Sequence, residues 1–328
     1  MELFMSRQMK AHKNYDELIA LLESRGMAIN DREHAKKKLS QVGYYRLSGF
    51  WFPCQITVQE ENGKTKKGNK FLPETCFRDV YDLYLFDKKM RLLMMDALER
   101  IEVFIRSIIA HEMGAIHPLS YRHDEHINPS QLINKKNNDK PSPRKKWMDK
   151  QDSKIESSKD DFIKWHKAEY EGIPFWVVVE TWDFGLMSKY YAMLNGKHQD
   201  TILSKLGISK GNGPILRNWL SAMNVLRNRC AHHSRIWNKN NEPKLKKLDH
   251  EDFNTLNLEE SAYNKMYGMI TVLWFLIKKI GPGSDWLNNV AELISKKPNL
   301  PGCYLKSMGF PDNDCLPQHF LELSKKDA

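Results

Sequence analysis

Apolar residues recur at three- and four-residue steps along most of this chain, which is the pattern of amphipathic helices. The longest such segment, residues 74–114, contains no glycine or proline before Gly114 and predicts one long helix. Further helices are predicted at residues 15–24, from a cap at Asn30 or Asp31 onward, and at 175–194, 215–232, 258–280 and 286–295. No convincing alternating strand pattern and no solenoid repeat is found, so the sequence predicts an all-α fold.

Two polar or aromatic segments interrupt the helical pattern near the N-terminus. Residues 43–53 are dense in aromatic side chains and bracketed by glycines, while residues 59–70 are rich in lysine and glycine and predict an exposed loop. The aromatic segment has two interpretations: a packed corner between substructures, or a platform on which RNA bases stack beside Arg46. The domain prediction is a small helical and aromatic N-terminal subdomain, residues 1–73, and a helical domain, residues 74–328.

A basic insertion is predicted at about residues 117–165 within the second domain. Between residues 131 and 150 there are seven basic residues against two aspartates, and Pro141 and Pro143 are expected to break any helix there. One interpretation is a solvated insertion. The other is an arm that grips the RNA backbone, through Lys135, Lys136, Arg144, Lys145 and Lys146.

Overall charge and cysteine usage narrow the class of protein. The formal net charge of +10 and pI of about 9.2 favour a polyanionic partner, because phosphate contacts supply affinity by counterion release. Five widely spaced cysteines with no C-x-x-C pair argue against a disulfide scaffold and favour a reducing compartment. The N-terminus has no apolar signal segment, and the longest apolar stretch, residues 269–277, is too short for a membrane span. We expect a cytoplasmic protein without a membrane partner.

The most distinctive chemistry lies at the end of the predicted helix 215–232. Asn224, Asn228 and His232 are four residues apart and therefore form one line up a helix face, with Arg227 beside it. Histidine can take the 2′-hydroxyl proton of RNA or protonate the leaving 5′-oxygen, and an arginine fork can hold the phosphate. The alternative is a solvated helix end, where the helix dipole favours histidine and arginine. Arg235, three residues beyond His232, is a further candidate RNA contact.

A second arginine–histidine pair occurs on the long helix. Arg106 and His111 are separated by four residues, as Arg227 and His232 are. Ile108 and Ile109 between them, however, are typical of an ordinary helical core. Glu99 and Glu102 are expected to form ion pairs or to hold Arg227 in place rather than to act as acids. His123 and His126 flank two acidic residues, but no third ligand is evident, so the sequence predicts no metal and no cofactor.

Arg227-Asn228 followed by His232 matches the R-x4-6-H signature of the HEPN superfamily, which this segment resembles. The wider run to Asn238 is similar to the Abi family of bacterial abortive-infection proteins, of the AbiD and AbiF type. The family's other blocks are resembled by residues 42–51, 86–102 and 308–311. The resemblance therefore spans nearly the whole chain except the basic insertion.

This resemblance implies a HEPN-like helical bundle that works as a homodimer and cuts RNA without metal. Arg227, Asn228 and His232 would be catalytic. His233 would give the spacing R-x5-H, so which histidine acts stays open. The resemblance also implies phage defence through growth arrest. The alternative function is a ribonucleoprotein that holds a small structured non-coding RNA, with no nuclease activity or with that activity inhibited. A membrane-associated effector ranks last, because no basic amphipathic helix is obvious.

Overall fold

The prediction of an all-α fold is confirmed by the computed structural model, which describes residues 9–60, 63–134, 139–256 and 258–326. The described part of the chain also contains two short strands, β1 (Gln55–Gln59) and β2 (Thr65–Phe71). The helices are α1 (Tyr15–Ser24), α2 (Arg32–Val42), α3 (Tyr44–Trp51), α4 (Phe77–Gly114), α5 (Pro143–Ser157), α6 (Asp161–Glu169), α7 (Phe175–Val178), α8 (Phe184–Met193), α9 (Gly196–Lys205), α10 (Gly213–Ala231), α11 (Glu251–Leu256), α12 (Met266–Ile280), α13 (Trp286–Ser295) and α14 (Gln318–Lys326).

The chain folds as two compact units, and the first is built from two separate pieces of sequence. It contains the residues up to Lys88 together with Lys296–Tyr304. Within it, Trp51 of α3 packs edge-to-face on Phe71, with ring centroids 6.4 Å apart. The buried thiols of Cys54 and Cys303 lie 3.7 Å apart, so the two pieces meet inside this unit.

A two-stranded antiparallel sheet in the first unit corrects two sequence-based expectations. β1 (Gln55–Gln59) pairs with β2 (Thr65–Phe71), where the sequence predicts a loop and no strand. Most side chains of both strands are exposed or half-buried. Because neither face is buried along its length, the strands carry no alternation of apolar and polar residues, and that alternation is the signal by which strands are found.

The second unit, Lys89–Ser295 and Leu305 onward, has α12 as its most buried helix. Twelve consecutive residues of α12, Met266–Ile277, are buried, which explains their almost uninterrupted apolar sequence. The predicted apolar stripe of α10 is also confirmed. Its buried members are Leu216, Trp219, Leu220, Met223 and Leu226.

Three helix predictions in the second unit are wrong in detail. The segment predicted as one helix, 258–280, contains a 3-10 turn at Ala262–Asn264, and α12 begins at Met266. The segment predicted as one helix, 175–194, is divided into α7, a 3-10 turn at Val179–Thr181, and α8. The division occurs because Trp182 is extended and the Asp183 side chain accepts a hydrogen bond from the Leu186 N–H, which starts a new helix. Pro143 begins α5 rather than breaking it, since a proline at the first turn loses no helical hydrogen bond.

The HEPN-like arrangement of the bundle and the predicted domain boundary between residues 73 and 74 stay predictions. α4 runs through the boundary between the two units, with residues up to Lys88 in one and those from Lys89 in the other. Among the described residues, every helix is too short or too polar to cross a membrane.

Candidate functional site

The predicted catalytic segment forms the last turns of α10 and the cap that ends it. The His233 N–H donates to the Cys230 carbonyl (3.0 Å), and the Ser234 N–H donates to the Arg229 carbonyl (2.8 Å). This pair of bonds is a Schellman motif, with His232 as C-cap and His233 in the left-handed conformation at φ +56°. The side chain of Arg91, on α4, donates a hydrogen bond to the Ser234 carbonyl (3.3 Å) and so stabilises this turn. Both histidine side chains are exposed.

Arg227 and Asn228 line a polar cleft of about 240 Å³ between α10, α8 and α5. The cleft is also lined by Asn224 of α10 and by Phe184, Gly185, Lys189 and Asp183 at the start of α8, and by Lys150 of α5. A β-carbon at Gly185 would lie 3.2 Å from the Asp183 carboxylate oxygen, which is a tight contact, and 3.4 Å from the Asn224 amide oxygen, so glycine leaves room for both polar groups. His232 follows Asn228 by four residues, about one helical turn or 6 Å along the axis.

Asp183 is the acidic residue that lines this cleft, and its carboxylate is already hydrogen-bonded and paired with two lysines. Its carboxylate accepts from the Leu186 N–H (2.7 Å) and pairs with Lys150 and Lys154, each at 3.2 Å. Burial alone raises the pKa of Asp183, but these hydrogen bonds outweigh burial and hold the pKa below its usual value. Asp183 therefore stays ionised and holds Lys150 at the cleft, with Lys154 as its second lysine partner.

Glu102 of α4 lies close enough to Arg227 and Arg106 for their charges to act on it. Burial raises the pKa of Glu102, and the two arginines oppose that rise without cancelling it. Glu102 thus supplies a partly buried negative charge near Arg227. That Glu102 helps to hold Arg227 in position stays a prediction.

The second arginine–histidine pair does not line the Arg227 cleft. Arg106 donates to the Trp182 carbonyl (2.9 Å) and lies 4.0 Å from the Glu180 carboxylate. It thereby braces the turn that immediately precedes Asp183. His111 lines a separate depression of about 440 Å³ with Trp176 and Glu180.

A family model described as Abi-like protein matches residues 37–238, which is more than half of the chain. The chain belongs to the Abi-like protein family. The matched range of this Abi-like protein includes the lining residues of the cleft and His232. No curated protein and no solved structure matches the chain.

The predicted RNA contacts of the Abi-like protein occupy several different environments. Arg144 is buried, and it donates to Asp124 (2.8 Å) and to the Tyr121 carbonyl (2.7 Å). Lys145 and Lys146 are exposed on α5, with Lys145 paired to Asp149. Arg46 is exposed on α3 in the first unit, beside Tyr45, whose side chain is 90% exposed. Lys135 and Lys136 lie outside the described residues.

Arg235, the remaining predicted contact, is half-buried in a positively charged group that follows α10. Burial lowers the pKa of Lys239, and the positive charges of Arg235 and Arg229 lower it further. Arg229 is held by the Glu242 carboxylate (2.8 Å) and the Asn240 carbonyl (2.7 Å). Positive charge therefore continues beyond His232.

Three charged lining residues of the cleft are absent from the candidate residues of the sequence analysis: Lys150, Asp183 and Lys189. Lys189 and Asp183 fall within the segment predicted as one continuous helix, where neither is distinctive. The available signal was Asp183 three residues before Leu186, a capping spacing that indicates a helix start.

Proposed function

We propose that this Abi-like protein is a metal-independent, HEPN-type endoribonuclease that acts in abortive infection, a bacterial defence against phage. The observation that carries the proposal is the basic cleft at the end of α10. Arg227 and Asn228 share it with Lys150 and Lys189, and His232 lies one turn further along the same helix face. A cleft with this charge fits a phosphodiester.

The reaction proposed is an internal transesterification of RNA. The 2′-oxygen attacks the adjacent phosphorus and the bond from phosphorus to the 5′-oxygen breaks, which leaves a 2′,3′-cyclic phosphate and a 5′-hydroxyl. One proton leaves the 2′-hydroxyl and one is delivered to the 5′-oxygen, so no water, metal or oxidant is consumed. Histidine carries out both transfers near neutral pH. Arg227 stabilises the charge that builds on the phosphate, and Asn228 orients it.

Two proton transfers at one phosphate call for two acid–base groups. We expect two copies of the chain to pair so that both sets of Arg227, Asn228 and His232 face one cleft, with one histidine as base and the other as acid. The exposed lysines of α5 and the positive group around Arg235 extend the surface along which the RNA backbone lies.

The test is cleavage of labelled RNA by the purified full-length protein, without added Mg²⁺ and with EDTA present from the start. The expected products carry a 5′-hydroxyl that a polynucleotide kinase can label. A 2′-deoxy nucleotide at the scissile position should block cleavage, because it removes the attacking oxygen. Strict dependence on magnesium, or cleavage at the deoxy position, would overturn the mechanism.

Arg227→Lys is the decisive variant, because it keeps the charge and removes the planar fork. Loss of one preorganised donor to the reacting group lowers the rate by about 10²–10³-fold. Arg217→Lys is the matched control: Arg217 is exposed on the same helix but does not line the cleft. The control should cut RNA at the wild-type rate.

The alternative function, a ribonucleoprotein with a small structured RNA, predicts a different result. The protein would then purify with one RNA species, and neither that RNA nor added RNA would be cut. Arg227→Lys would change retention of the RNA instead of a rate. This outcome would replace the nuclease proposal.

A further inference from the structure

A group of histidines lies on the segment that follows α4, within the second unit. Two 3-10 turns, Ser120–Arg122 and Asp124–His126, place His123, Glu125 and His126 together. One ligand atom from each of these three side chains lies within 4.8 Å of the other two. The sequence shows the two histidines, but only the turn brings Glu125 in as a third ligand.

His126 provides an independent sign of a ligand. The residue is only 6% exposed, and its Nε2 atom is buried without a hydrogen-bond partner. The nearest acidic atom, Oε1 of Glu125, is 3.4 Å away. A buried imidazole nitrogen without a partner is costly and calls for an explanation such as a bound ion.

The backbone around His126 is fixed before any ion binds. Ile127 and Leu194 form an antiparallel bridge, with the Asn128 N–H donating to the Met193 carbonyl (2.8 Å) and the Asn195 N–H to the His126 carbonyl (3.0 Å). A cation in this position would therefore meet ligands whose main chain is held by hydrogen bonds, a preorganisation that strong metal sites require.

Two more histidines lie close by, and a hydrogen bond to one of them decides which of the two can bind a metal. The ring of His198 on α9 is 5.0 Å from that of His126, and His198 lines the same depression of about 540 Å³ as Glu125 and His126. The ring of His117 is 4.6 Å from that of His123, but its Nδ1 accepts from the Leu119 N–H (3.0 Å). The neutral ring of His117 then carries its proton on Nε2, so neither nitrogen is available to a metal.

We propose that His123, Glu125 and His126 bind a zinc ion or a similar first-row divalent cation, with His198 as the fourth ligand. Imidazole and carboxylate ligands in a group of four suit zinc, whose bonds of about 2.0–2.2 Å place tetrahedral ligand atoms about 3.3–3.6 Å apart. The three groups at 4.8 Å or less would close to that spacing by side-chain rotation, and His198, which lies outside this group of three, would turn toward the ion to complete it.

The ion would have a structural role: it would stabilise the turn that anchors α5, and α5 lines the Arg227 cleft. Asp124, between His123 and Glu125, accepts the hydrogen bond from Arg144 of α5 (2.8 Å). α5 also carries Lys150, which lines the cleft. A metal that fixes this turn would fix the anchor of α5, and it would take no part in chemistry at the phosphate.

The test is direct measurement of metal on the full-length protein, stripped with chelator and then titrated with zinc against a chromophoric zinc chelator. We expect one zinc per chain, and a rise in the melting temperature of roughly 5 °C when free zinc exceeds the dissociation constant about 100-fold. Glu125→Gln and His198→Asn should each weaken binding by at least about tenfold, since even outer-sphere partners contribute 10–100-fold. The matched control, His117→Asn, should bind as the wild type does.

Substitution of the buried His126 is avoided, because it can disturb folding without any metal. Glu125 is exposed, so Glu125→Gln should leave the melting temperature of the stripped protein unchanged. Cobalt separates this site from cysteine binding: we expect the visible bands of tetrahedral cobalt with no sulfur-to-cobalt charge-transfer band. Absence of tight binding, a sulfur band, or equal affinity in Glu125→Gln and His117→Asn would overturn the proposal. Because metal is measured directly, these outcomes are independent of whether the protein cuts RNA.

Discussion

Two adjacent histidines follow the arginine of the signature, and the helix cap gives them different tasks. His232 continues the face of Asn224 and Asn228, whereas His233 occupies the left-handed position of the Schellman motif. We therefore predict that His233 contributes to the backbone conformation of the helix cap, and that His232 takes part in the reaction. Replacing each in turn, as His233→Gly and His232→Asn, separates the two roles.

The size of the stability effect follows from the φ of +56° at His233. A left-handed conformation costs an L-residue about 1–2 kcal/mol, and histidine is at the lower end because it tolerates this region better than most residues. Glycine removes that cost of about 1 kcal/mol. Its greater conformational freedom stabilises the unfolded chain, however, and this lowers the free energy of unfolding by about 0.5 kcal/mol. The net gain from the backbone alone is about 0.5 kcal/mol, which corresponds to a rise in the melting temperature of about 1–2 °C.

Thermal unfolding and RNA cleavage are measured on the same preparations. His233→Gly should be slightly more stable and should cut RNA at the wild-type rate. His232→Asn should keep wild-type stability and lose about 10²–10⁴-fold in rate, the contribution of a general acid or base. A stable His233→Gly protein that no longer cuts RNA would assign the chemistry to His233, and a less stable one would refute the argument from the cap.

Three further predictions concern the cleft, α4 and α5. The double variant Lys150→Ala/Lys189→Ala should weaken RNA binding and reduce the slope of log affinity against log salt by about 1.4, from two phosphate contacts of about 0.7 each; an unchanged slope would remove RNA from the cleft. Because burial raises the pKa of Glu102, its contribution to stability is full below its usual pKa of 4.5 and is lost as the pH rises through the folded pKa. The melting temperature of Glu102→Gln relative to wild type should therefore increase from pH 4.5 upward, and a flat difference would contradict the burial argument. Arg144→Ala should lower the free energy of unfolding by about 2–3 kcal/mol, because the buried Tyr121 carbonyl loses its donor, whereas Lys146→Ala should weaken RNA binding with a stability change within about 0.5 kcal/mol.

Helices with one strongly apolar face could be predicted closely from the sequence. The stripe of α10 from Leu216 to Leu226 is buried, and α4 begins within three residues of its predicted start. Features set by polar contacts could not be predicted in this way. The β1–β2 hairpin exposes most of both faces and so lacks a period, and the break before α8 depends on one carboxylate capping Leu186.

The candidate site was predictable only where its residues belong to one helix. Asn224, Arg227 and Asn228 share the cleft because helical spacing places them side by side. Lys150 and Lys189 reach it from α5 and α8, and no spacing within the sequence indicates that these helices meet α10. The buried position of Arg144 was also hidden, because a basic run has the same composition whether one member points inward or all face solvent.

The first unit has a consequence for the order in which the protein is made. Its two pieces are separated by 207 residues, from Lys89 to Ser295, and the buried contact between Cys54 and Cys303 needs both pieces. At a synthesis rate of about 5–20 residues per second, the first piece waits roughly 10–40 s for the second. During that interval the entire second-unit segment that carries Arg227 and His232 is translated. The N-terminal part of the chain therefore begins synthesis first but is among the last to complete its core.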